Sequence, residues 1–265
     1  MATWSSLTNK KKESKHNSGK RTHKVTRITP HCWVGQVSVE NGLSYFASTS
    51  RQVSSNYIIG SDGRVGGCVR EEYRAWTSSS RDNDNRAITI ECASDTKSPY
   101  ALKSAVYNKL ISLCVDICKR YGKKKLLWIS DKKKALAYTP KNDEMLLTVH
   151  RWFAATDCPG SWLMGKMPDL AKQVTAKLQG KTPTPAPTPK PTTTKYKVST
   201  NSGASLALRA RPKTGSTLLA WIPNNTTLAV DKVVTGTSVG GNNKWAHTTY
   251  KGKTGWCSMK YLKKV

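Results

Sequence analysis

The chain is 265 residues long, which exceeds the usual size of one domain and predicts two. It carries 44 basic and 16 acidic residues, and the formal net charge of +28 predicts a polyanionic partner. The excess is spread along the chain, with +15 in residues 1–180, +3 in 181–195 and +10 in 196–265. No zinc-finger spacing, basic zipper or ribonucleoprotein motif accompanies it, which disfavours nucleic acid as the partner without excluding it. The phosphate and carboxylate polymers of a Gram-positive wall satisfy the charge equally well.

The first 24 residues are basic and polar, and no apolar run follows them. They predict neither a secretory signal peptide nor a membrane anchor. No later segment approaches the roughly eighteen apolar residues of a membrane-spanning helix. We therefore expect the protein to be made and folded in a cytoplasm, where irregularly spaced cysteines predict reduced thiols. The seven cysteines are Cys32, Cys68, Cys92, Cys114, Cys118, Cys158 and Cys257.

Strand and helix patterns alternate in residues 1–180. Runs rich in β-branched residues predict three strands, over residues 24–31, 56–65 and 86–92. An apolar stripe at helical spacing predicts a helix that Ser98 caps and that ends at Gly122. A second helix is predicted over residues 168–178. This order predicts an α/β domain in which helices flank a mixed β-sheet.

Residues 181–195 separate the two predicted domains. The segment alternates proline with small residues, so it predicts a polyproline II spacer that rises about 3.1 Å per residue, roughly 45 Å in all. Beyond it, residues 196–265 contain short β-type runs, many turn residues and no helical period. We expect five short strands there, closing a small all-β barrel.

The strongest chemical pattern is a histidine and a cysteine eight residues apart, His150 and Cys158, with Pro-Gly after the cysteine. Imidazole and thiolate are both good zinc ligands, although such a pair is also common in a hydrophobic core. His31 ends a β-type run and can supply a third ligand from a neighbouring strand. A lone histidine at that place is more often structural, so both interpretations stay open.

Glu91 follows a run, 87–90, that is typical of a buried strand. By alternation its side chain shares a face with Thr89, whereas Ile90 and Cys92 face the other way. Burying a carboxylate is costly unless the group is paired or has a chemical role, such as that of a general base beside a metal. The alternative is a glutamate at a strand end that points into water.

Taken in order, these motifs resemble a known family. They are a strand ending in His-Cys, a hairpin Asn-Tyr-Ile-Ile-Gly-Ser-Asp-Gly-Arg-Val, a strand Asp-Asn-Arg-Ala-Ile-Thr-Ile-Glu, and Val-His-Arg-Trp followed by Thr-Asp-Cys-Pro-Gly. The pattern is similar to that of the type-2 N-acetylmuramoyl-L-alanine amidases, which include phage lysins and the animal peptidoglycan recognition proteins. The resemblance covers about residues 20–178.

The resemblance implies a zinc-dependent amidase of bacterial peptidoglycan. His31, His150 and Cys158 match the family's zinc ligands, two histidines and a cysteine. Glu91 matches the acidic residue that acts as base in bacterial and phage members. Thr156 stands where the family has a lysine or threonine that helps to hold the developing oxyanion. The implied reaction is hydrolysis of the amide bond between N-acetylmuramic acid and L-alanine.

The sequence departs from the family at three positions. Ser55 stands where many members have a tyrosine, and Tyr57, two residues on, is not assigned a catalytic role. Pro30 precedes His31 and has no N–H to donate, so the strand must not need that ladder bond. Thr77 stands where relatives often have histidine or cysteine, and we expect it to alter the groove rather than the metal site.

Two segments of the C-terminal part, 206–212 and 252–262, resemble the first and last strands of bacterial Src-homology-3-like barrels. Such domains commonly bind bacterial walls, which fits the positive charge of this part. We expect most of five large aromatic residues in this part to lie in the core, because a barrel of 70 residues needs large apolar groups. One or two are expected to line a groove. The five are Trp221, Trp245, Tyr250, Trp256 and Tyr261.

An amidase joined to a wall-binding module, without an export signal, resembles a phage endolysin that waits in the cytoplasm until it is released to the wall. Two other classes of protein stay open. A non-catalytic peptidoglycan-binding receptor would lack the metal ligands, so the intact set of His31, His150 and Cys158 argues against it. A nucleic-acid binder has only the charge in its favour.

Overall fold

The computed structural model describes residues 4–180, 193–200 and 202–265. The chain divides into two units, Met1–Ala186 and Pro187–Val265. Residues 181–192 of the predicted linker lie outside the described residues, so the polyproline spacer stays a prediction, as do the domain boundaries. Thr194 and Lys195, at the end of the predicted linker, belong to a strand of the second unit.

Nine strands are described in the first unit. They are β1 (Thr8–Lys11), β2 (Asn17–Lys20), β3 (Arg27–Cys32), β4 (Tyr57–Ile59), β5 (Val65–Gly67), β6 (Tyr73–Ala75), β7 (Ala87–Cys92), β8 (Lys125–Leu127) and β9 (Glu144–Leu147). Seven of them form one mixed sheet in the order β1-β5-β4-β7-β3-β9-β8, while β2 and β6 form an antiparallel pair. β4, β7, β3, β9 and β8 run parallel, and β5 pairs antiparallel with β4. The predicted mixed sheet is confirmed, with predicted strands at β3, the β4–β5 hairpin and β7.

Five helices accompany this sheet: α1 (Val39–Ser48), α2 (Arg81–Arg86), α3 (Ser104–Arg120), α4 (Lys132–Ala137) and α5 (Gly160–Leu178). α3 and α5 contribute to a core that contains Tyr57, Ile88 and Ile90. α1 packs against Ile58 in a separate cluster, because successive strand residues point to opposite faces of a sheet. Helices therefore cover both faces. None of the described helices is both long and apolar enough to cross a membrane.

Two helix starts differ from the prediction. Ser98 does not cap α3, which begins at Ser104. Tyr100 has a left-handed φ of 58°, which a right-handed helix does not accommodate, so the helix starts only after it. α5 begins at Gly160 and contains Pro168, which the sequence analysis placed at its start. Pro168 is exposed, so the carbonyl four residues earlier, which has lost its helical donor, can bond to water.

The second unit is all-β, as predicted, but its described residues form seven strands rather than five. They are β10 (Thr194–Val198), β11 (Leu206–Arg209), β12 (Leu218–Ile222), β13 (Thr227–Val239), β14 (Asn242–Tyr250), β15 (Lys253–Ser258) and β16 (Leu262–Lys264). The strands pair antiparallel in the order β12-β11-β15-β14-β13-β10-β16. β10 and β16 are short and rich in lysine, which hides their strand pattern in the sequence.

The core of the second unit contains fewer large aromatic side chains than expected. Its buried residues are Val198, Leu206, Leu208, Ile222, Leu228, Val230, Ala246 and Cys257. Of the five aromatic residues, Trp245 is buried, and Tyr250 and Tyr261 pack against the core while partly exposed. Trp256 is half-buried, but Trp221 is 57% exposed. Trp221 lies outside the core, because it is on β12 at the end of the strand order, where one flank has no neighbouring strand.

Candidate metal centre and active site

The candidate site begins at the carboxyl ends of two neighbouring strands. β3 and β7 pair in parallel with His31 opposite Glu91, one residue before each strand ends. Ile28 and Ile90 of the same strands lie in the core with α3, so His31 and Glu91 point to the other face of the sheet. The carboxyl ends of adjacent parallel strands are the usual place for ligand sites in open α/β sheets.

Pro30 lies inside β3 without breaking the sheet. Thr148 N–H donates to the Ile28 carbonyl of β3 at 3.0 Å. On the other side, Trp33 N–H donates to the Cys92 carbonyl at 2.8 Å. Alternate residues of β3 therefore bond to opposite neighbours, and the nitrogen of Pro30 faces the β9 side. The pairing of β3 with β9 ends at Ile28, so the missing N–H costs no ladder bond, in agreement with the sequence analysis.

His150 and Cys158 lie at the two ends of one loop. His150 opens a short 3-10 helix, His150–Trp152. Arg151 N–H donates to the Cys158 carbonyl at 3.1 Å, and the Arg151 guanidinium donates to the carbonyls of Asp157 and Cys158. These hydrogen bonds close the loop and bring the cysteine back beside the histidine.

The three predicted ligands converge. The candidate ligand atoms of His31, His150 and Cys158 all lie within 4.8 Å of one another. His31 Nδ1 is 3.3 Å from Cys158 Sγ, and the rings of His31 and His150 are 5.0 Å apart. Within residues 4–180, 193–200 and 202–265, no other group of three His, Cys, Asp or Glu side chains is close enough to share a metal ion. Two imidazoles and a thiolate form a common donor set for zinc, with a fourth position left for water or substrate.

Glu91 lies beside this cluster. Its Oε1 is 3.8 Å from His31 Nδ1, and its side chain is 15% exposed. Its Oε2 is buried and has no hydrogen-bond partner in the described part of the chain. Burial raises the pKa of this carboxyl to about 8, and a cation held by the neighbouring side chains would lower that pKa again. The alternative of a glutamate pointing into water is therefore wrong.

Burial also sets the protonation of the ligands. It lowers the pKa of His31 well below the usual value, and a proton on the neighbouring His150 would lower it further. Burial lowers the pKa of His150 as well, so both imidazoles are neutral, which is the form that binds metals. A hydrogen bond with Cys32, and then burial, raise the pKa of the Cys158 thiol. Of the seven free cysteines Cys158 alone is partly exposed, and a bound metal would deprotonate it.

Thr156 lines the same cavity of about 400 Å³ as the three ligands and Glu91. Its hydroxyl oxygen accepts a hydrogen bond from Cys158 N–H at 3.2 Å. The proton of that hydroxyl is consequently free to donate to another group. The structure thus brings together every residue that the sequence analysis assigned to the site.

Three residues of the site surroundings were missed by the sequence analysis. Ser79 Oγ is 3.3 Å from His150 Nε2, and Cys32 and Tyr100 line the cavity. Ser79 and Tyr100 have left-handed φ values of 59° and 58°. Their positions come from loop conformation and tertiary packing, which leave no periodic signal in the sequence.

The residues at and near the positions where the sequence departs from the family pattern lie around the site rather than in it. Tyr57 is fully buried on the α3 face, where its hydroxyl donates to Glu71 Oε1 at 2.5 Å. The Ser55 hydroxyl is buried within 3.0 Å of the carbonyls of Tyr57 and Thr89. Thr77 lines a second cleft of about 390 Å³ that reaches Glu91 and has an aromatic wall. The aromatic residues of that wall are Trp33, Tyr45, Phe46 and Trp76.

The fold and the site define an α/β protein with a candidate His-His-Cys metal centre beside a buried carboxylate. Residues 21–161 match the family model described as N-acetylmuramoyl-L-alanine amidase. Because this match covers more than half of the chain, the chain belongs to the N-acetylmuramoyl-L-alanine amidase family. Residues 204–263 match the model described as bacterial SH3 domain, so the second unit contains a bacterial SH3 domain.

Several solved structures are similar to the chain. PlyL is 16% identical, with 62% of this chain and 95% of that chain covered and a TM-score of 0.46. The hydrolase AmiA of Staphylococcus aureus, solved in complex with its ligand, is 14% identical, with coverages of 67% and 87% and a TM-score of 0.46. The endolysin amidase LysCS from Clostridium intestinale URNW is 17% identical, with coverages of 65% and 97% and a TM-score of 0.39. No curated protein sequence matches the chain. The family assignment rests on the family model.

Proposed function

We propose that this chain is a zinc-dependent N-acetylmuramoyl-L-alanine amidase, which hydrolyses the amide bond between N-acetylmuramic acid and L-alanine in bacterial peptidoglycan. Membership of the amidase family supports the reaction. The observation that carries the zinc requirement is the convergence of His31, His150 and Cys158 ligand atoms within 4.8 Å. The two neutral imidazoles and the thiol fit zinc by their chemistry.

Each residue of the site has a role that follows from its surroundings. His31, His150 and Cys158 would hold the metal, and zinc, when bound, supplies a Lewis acid that polarises a carbonyl and makes water acidic near neutral pH. Glu91 Oε2, which has no hydrogen-bond partner among the described residues, accepts the proton of the attacking water and returns it to the leaving amine. The Thr156 hydroxyl donates to the oxyanion that develops from the carbonyl.

Zinc content and ligand variants test the metal assignment. The full chain should contain about one zinc ion, and chelation should abolish wall lysis while the α/β fold remains. Cys158→Ala should lower both zinc content and lysis. His23→Ala is the matched control, because His23 is exposed and bonds only to Thr22 among the described residues. Full zinc and full lysis in Cys158→Ala would show that the ligand assignment is wrong.

Product analysis tests the bond that is cleaved. Digested Gram-positive walls should gain free alanine amino termini and no reducing sugar ends. Glycoside hydrolysis canonically needs two carboxylates that flank the bond. Glu91 and Asp157 both line the described cavity, but Asp157 is exposed, whereas one oxygen of Glu91 is buried beside the candidate metal ligands. New reducing ends would contradict the proposed reaction. Wall binding with neither zinc nor cleavage would instead indicate a non-catalytic receptor.

The second unit supports attachment of the enzyme to its substrate. Bacterial SH3 domains commonly bind walls, and residues 196–265 carry eleven basic residues against one acidic residue. We infer that the enzyme acts on the wall of a Gram-positive cell, after release from the cytoplasm of the cell that makes it. Fractionation of producing cells before and during lysis, followed with an antibody, would test this location.

A further inference from the structure

The second unit contains an open groove of about 490 Å³ that the amidase reaction does not use. All residues that line it belong to this unit. Aromatic side chains form part of its wall, together with hydroxyl groups and two cationic side chains. The residues used below are Arg209, Trp221, Trp245, Ser258, Lys260 and Tyr261.

Trp221 gives the groove an exposed aromatic face. Its side chain is 57% exposed, and among the described residues of the second unit no other tryptophan, tyrosine or phenylalanine belongs to the exposed large hydrophobic residues. In the β11–β12 pair, Trp221 lies opposite Ala207, whose small side chain also lines the groove. A large indole left open beside a small residue is typical of a surface that a partner covers.

Trp245 forms a fixed part of the groove. It is buried, and its indole N–H donates to the Thr237 carbonyl at 2.8 Å. A Cβ atom at Gly236 would lie 2.7 Å from its ring, so the backbone packs directly on the indole. Because this ring is held in place before any ligand arrives, binding to the groove loses little side-chain entropy.

Arg209 and Lys260 give the groove a positive charge that no acidic side chain neutralises within the described residues. The Arg209 guanidinium donates to the Ser216 carbonyl at 2.8 Å, which is a neutral partner. The one acidic residue of this part of the chain, Asp231, is bound to His247 Nδ1 at 2.8 Å. Two cations beside an aromatic face and hydroxyl groups favour a ligand that alternates negative charge with CH surface.

We propose that this groove binds a phosphodiester-linked polyol chain of the bacterial wall, the chemistry of a teichoic acid. Phosphate groups would lie at Arg209 and Lys260, and the polyol would pack on Trp221 with its hydroxyls near Ser258. A neutral glycan would leave the two cations without an anionic partner. A stem peptide carries amines beside its carboxylates, and these amines would be repelled by the two cations. A polyol phosphate instead repeats the same negative charge along its length. The proposal rests on wall attachment by the second unit and not on the zinc chemistry.

Binding of the full chain to two preparations of one Gram-positive wall tests the ligand. Walls that keep their polyol phosphate should bind the chain at least about tenfold more tightly than walls from which hydrofluoric acid has removed it. Soluble glycerol phosphate oligomers should compete for binding. Equal binding to both preparations would indicate a peptidoglycan ligand and overturn the proposal. Equal competition by duplex DNA would overturn it too, since that outcome indicates general affinity for polyanions.

Point variants of the full chain test the groove. Trp221→Ala should weaken binding at least about tenfold, as loss of an aromatic anchor does. Leu218→Ala is the matched control, because Leu218 is also exposed on β12 but does not line the groove. Lys260→Gln should weaken binding and reduce its salt dependence, whereas Lys232→Gln, an exposed change outside the groove, should do neither. Unchanged binding by Trp221→Ala and Lys260→Gln would overturn the proposal.

Cleavage of soluble muropeptides separates this proposal from the proposed enzymatic function. Trp221→Ala should cleave them as fast as the parent chain, because Trp221 lies in the second unit. A circular dichroism spectrum like that of the parent chain would show that the variant's second unit is folded. A chain that prefers polyol phosphate walls but cleaves nothing would refute the amidase reaction and leave the groove assignment intact. A chain that cleaves muropeptides but binds both wall preparations equally would refute the groove assignment alone.

Discussion

Glu91 has a buried carboxylate oxygen, Oε2, that has no hydrogen-bond partner among the described residues. Replacing Glu91 therefore tests whether this oxygen acts as the base. Glu91→Gln keeps the size and shape of the side chain but cannot accept a proton at neutral pH. We expect the variant to bind zinc normally and to cleave soluble muropeptides about two to four orders of magnitude more slowly. Zinc analysis together with the cleavage rate would check both parts of this prediction.

Glu40→Gln serves as the control for that experiment. Glu40 is an exposed carboxylate on α1 that binds the Arg64 guanidinium at 2.8 and 2.9 Å. Its replacement should leave the cleavage rate unchanged. A Glu91→Gln enzyme as fast as the parent chain would exclude the base assignment, and loss of zinc from it would indicate that Glu91 is a ligand instead.

The sequence predicts site residues whose chemical type and order are visible along the chain. His31, His150, Cys158 and Glu91 were found because each stands in a motif that resembles the family. Ser79 and Tyr100 were not found, because loop conformation brings them to the site. The sequence predicts that one or two aromatic residues of the second unit line a groove, but it does not identify Trp221 as one of them, since only the strand order places this residue at a sheet edge.

At the scale of elements, a buried ion pair ties the end of α3 to the segment before β6. The Arg120 guanidinium donates to both Glu71 oxygens, at 2.7 and 2.6 Å, and the Tyr57 hydroxyl donates to Oε1 at 2.5 Å. Glu71 is 1% exposed. Removing this carboxylate from water costs free energy, and the hydrogen bonds and the charge of these partners offset that cost.

Arg120→Met should therefore destabilise the first unit strongly. It leaves a buried carboxylate without its cation, which costs about 3–5 kcal/mol. Arg64→Met removes a comparable two-bonded pair with Glu40 at the surface, and a contact with Asp62, where water screens the charges and the loss should be much smaller. Urea unfolding, followed by a probe in the first unit, would compare the two. Equal losses in the free energy of unfolding would mean that burial of Glu71 does not strengthen its ion pair with Arg120.

The sequence predicts elements well where they are long or strictly alternating, as in β7 and α3. It misses α1, whose polar face breaks the apolar pattern, and α4, whose first half is a run of three lysines. It also displaces the start of α5, because a proline is a frequent first residue of a helix and Pro168 is an exposed exception. Short-range patterns cannot distinguish these cases, since tertiary packing decides them.

For the whole molecule, the two units are expected to contribute differently to attachment and to cleavage. Deleting residues 196–265 should weaken binding to intact walls about tenfold or more, because a tethered second site makes rebinding intramolecular. Cleavage of small soluble fragments should change little. Pull-down of the chain with whole walls, beside fragment assays, would measure both. Equal wall binding by truncated and full chains would remove the attachment role of the second unit.

The pairing of β10 with β16 makes the second unit suitable for circular permutation. Tyr196 lies opposite Lys264, and Val265 N–H donates to the Lys195 carbonyl at 3.1 Å, so the first and last strands of this unit are neighbours. A few added residues would join them, and the chain could be reopened at the turn formed by Lys251 and Gly252, between β14 and β15. Such a circular permutant keeps every strand pair of the sheet while it changes the order of strands in the gene. We therefore expect the architecture of this unit to be kept when its polypeptide starts at this turn instead.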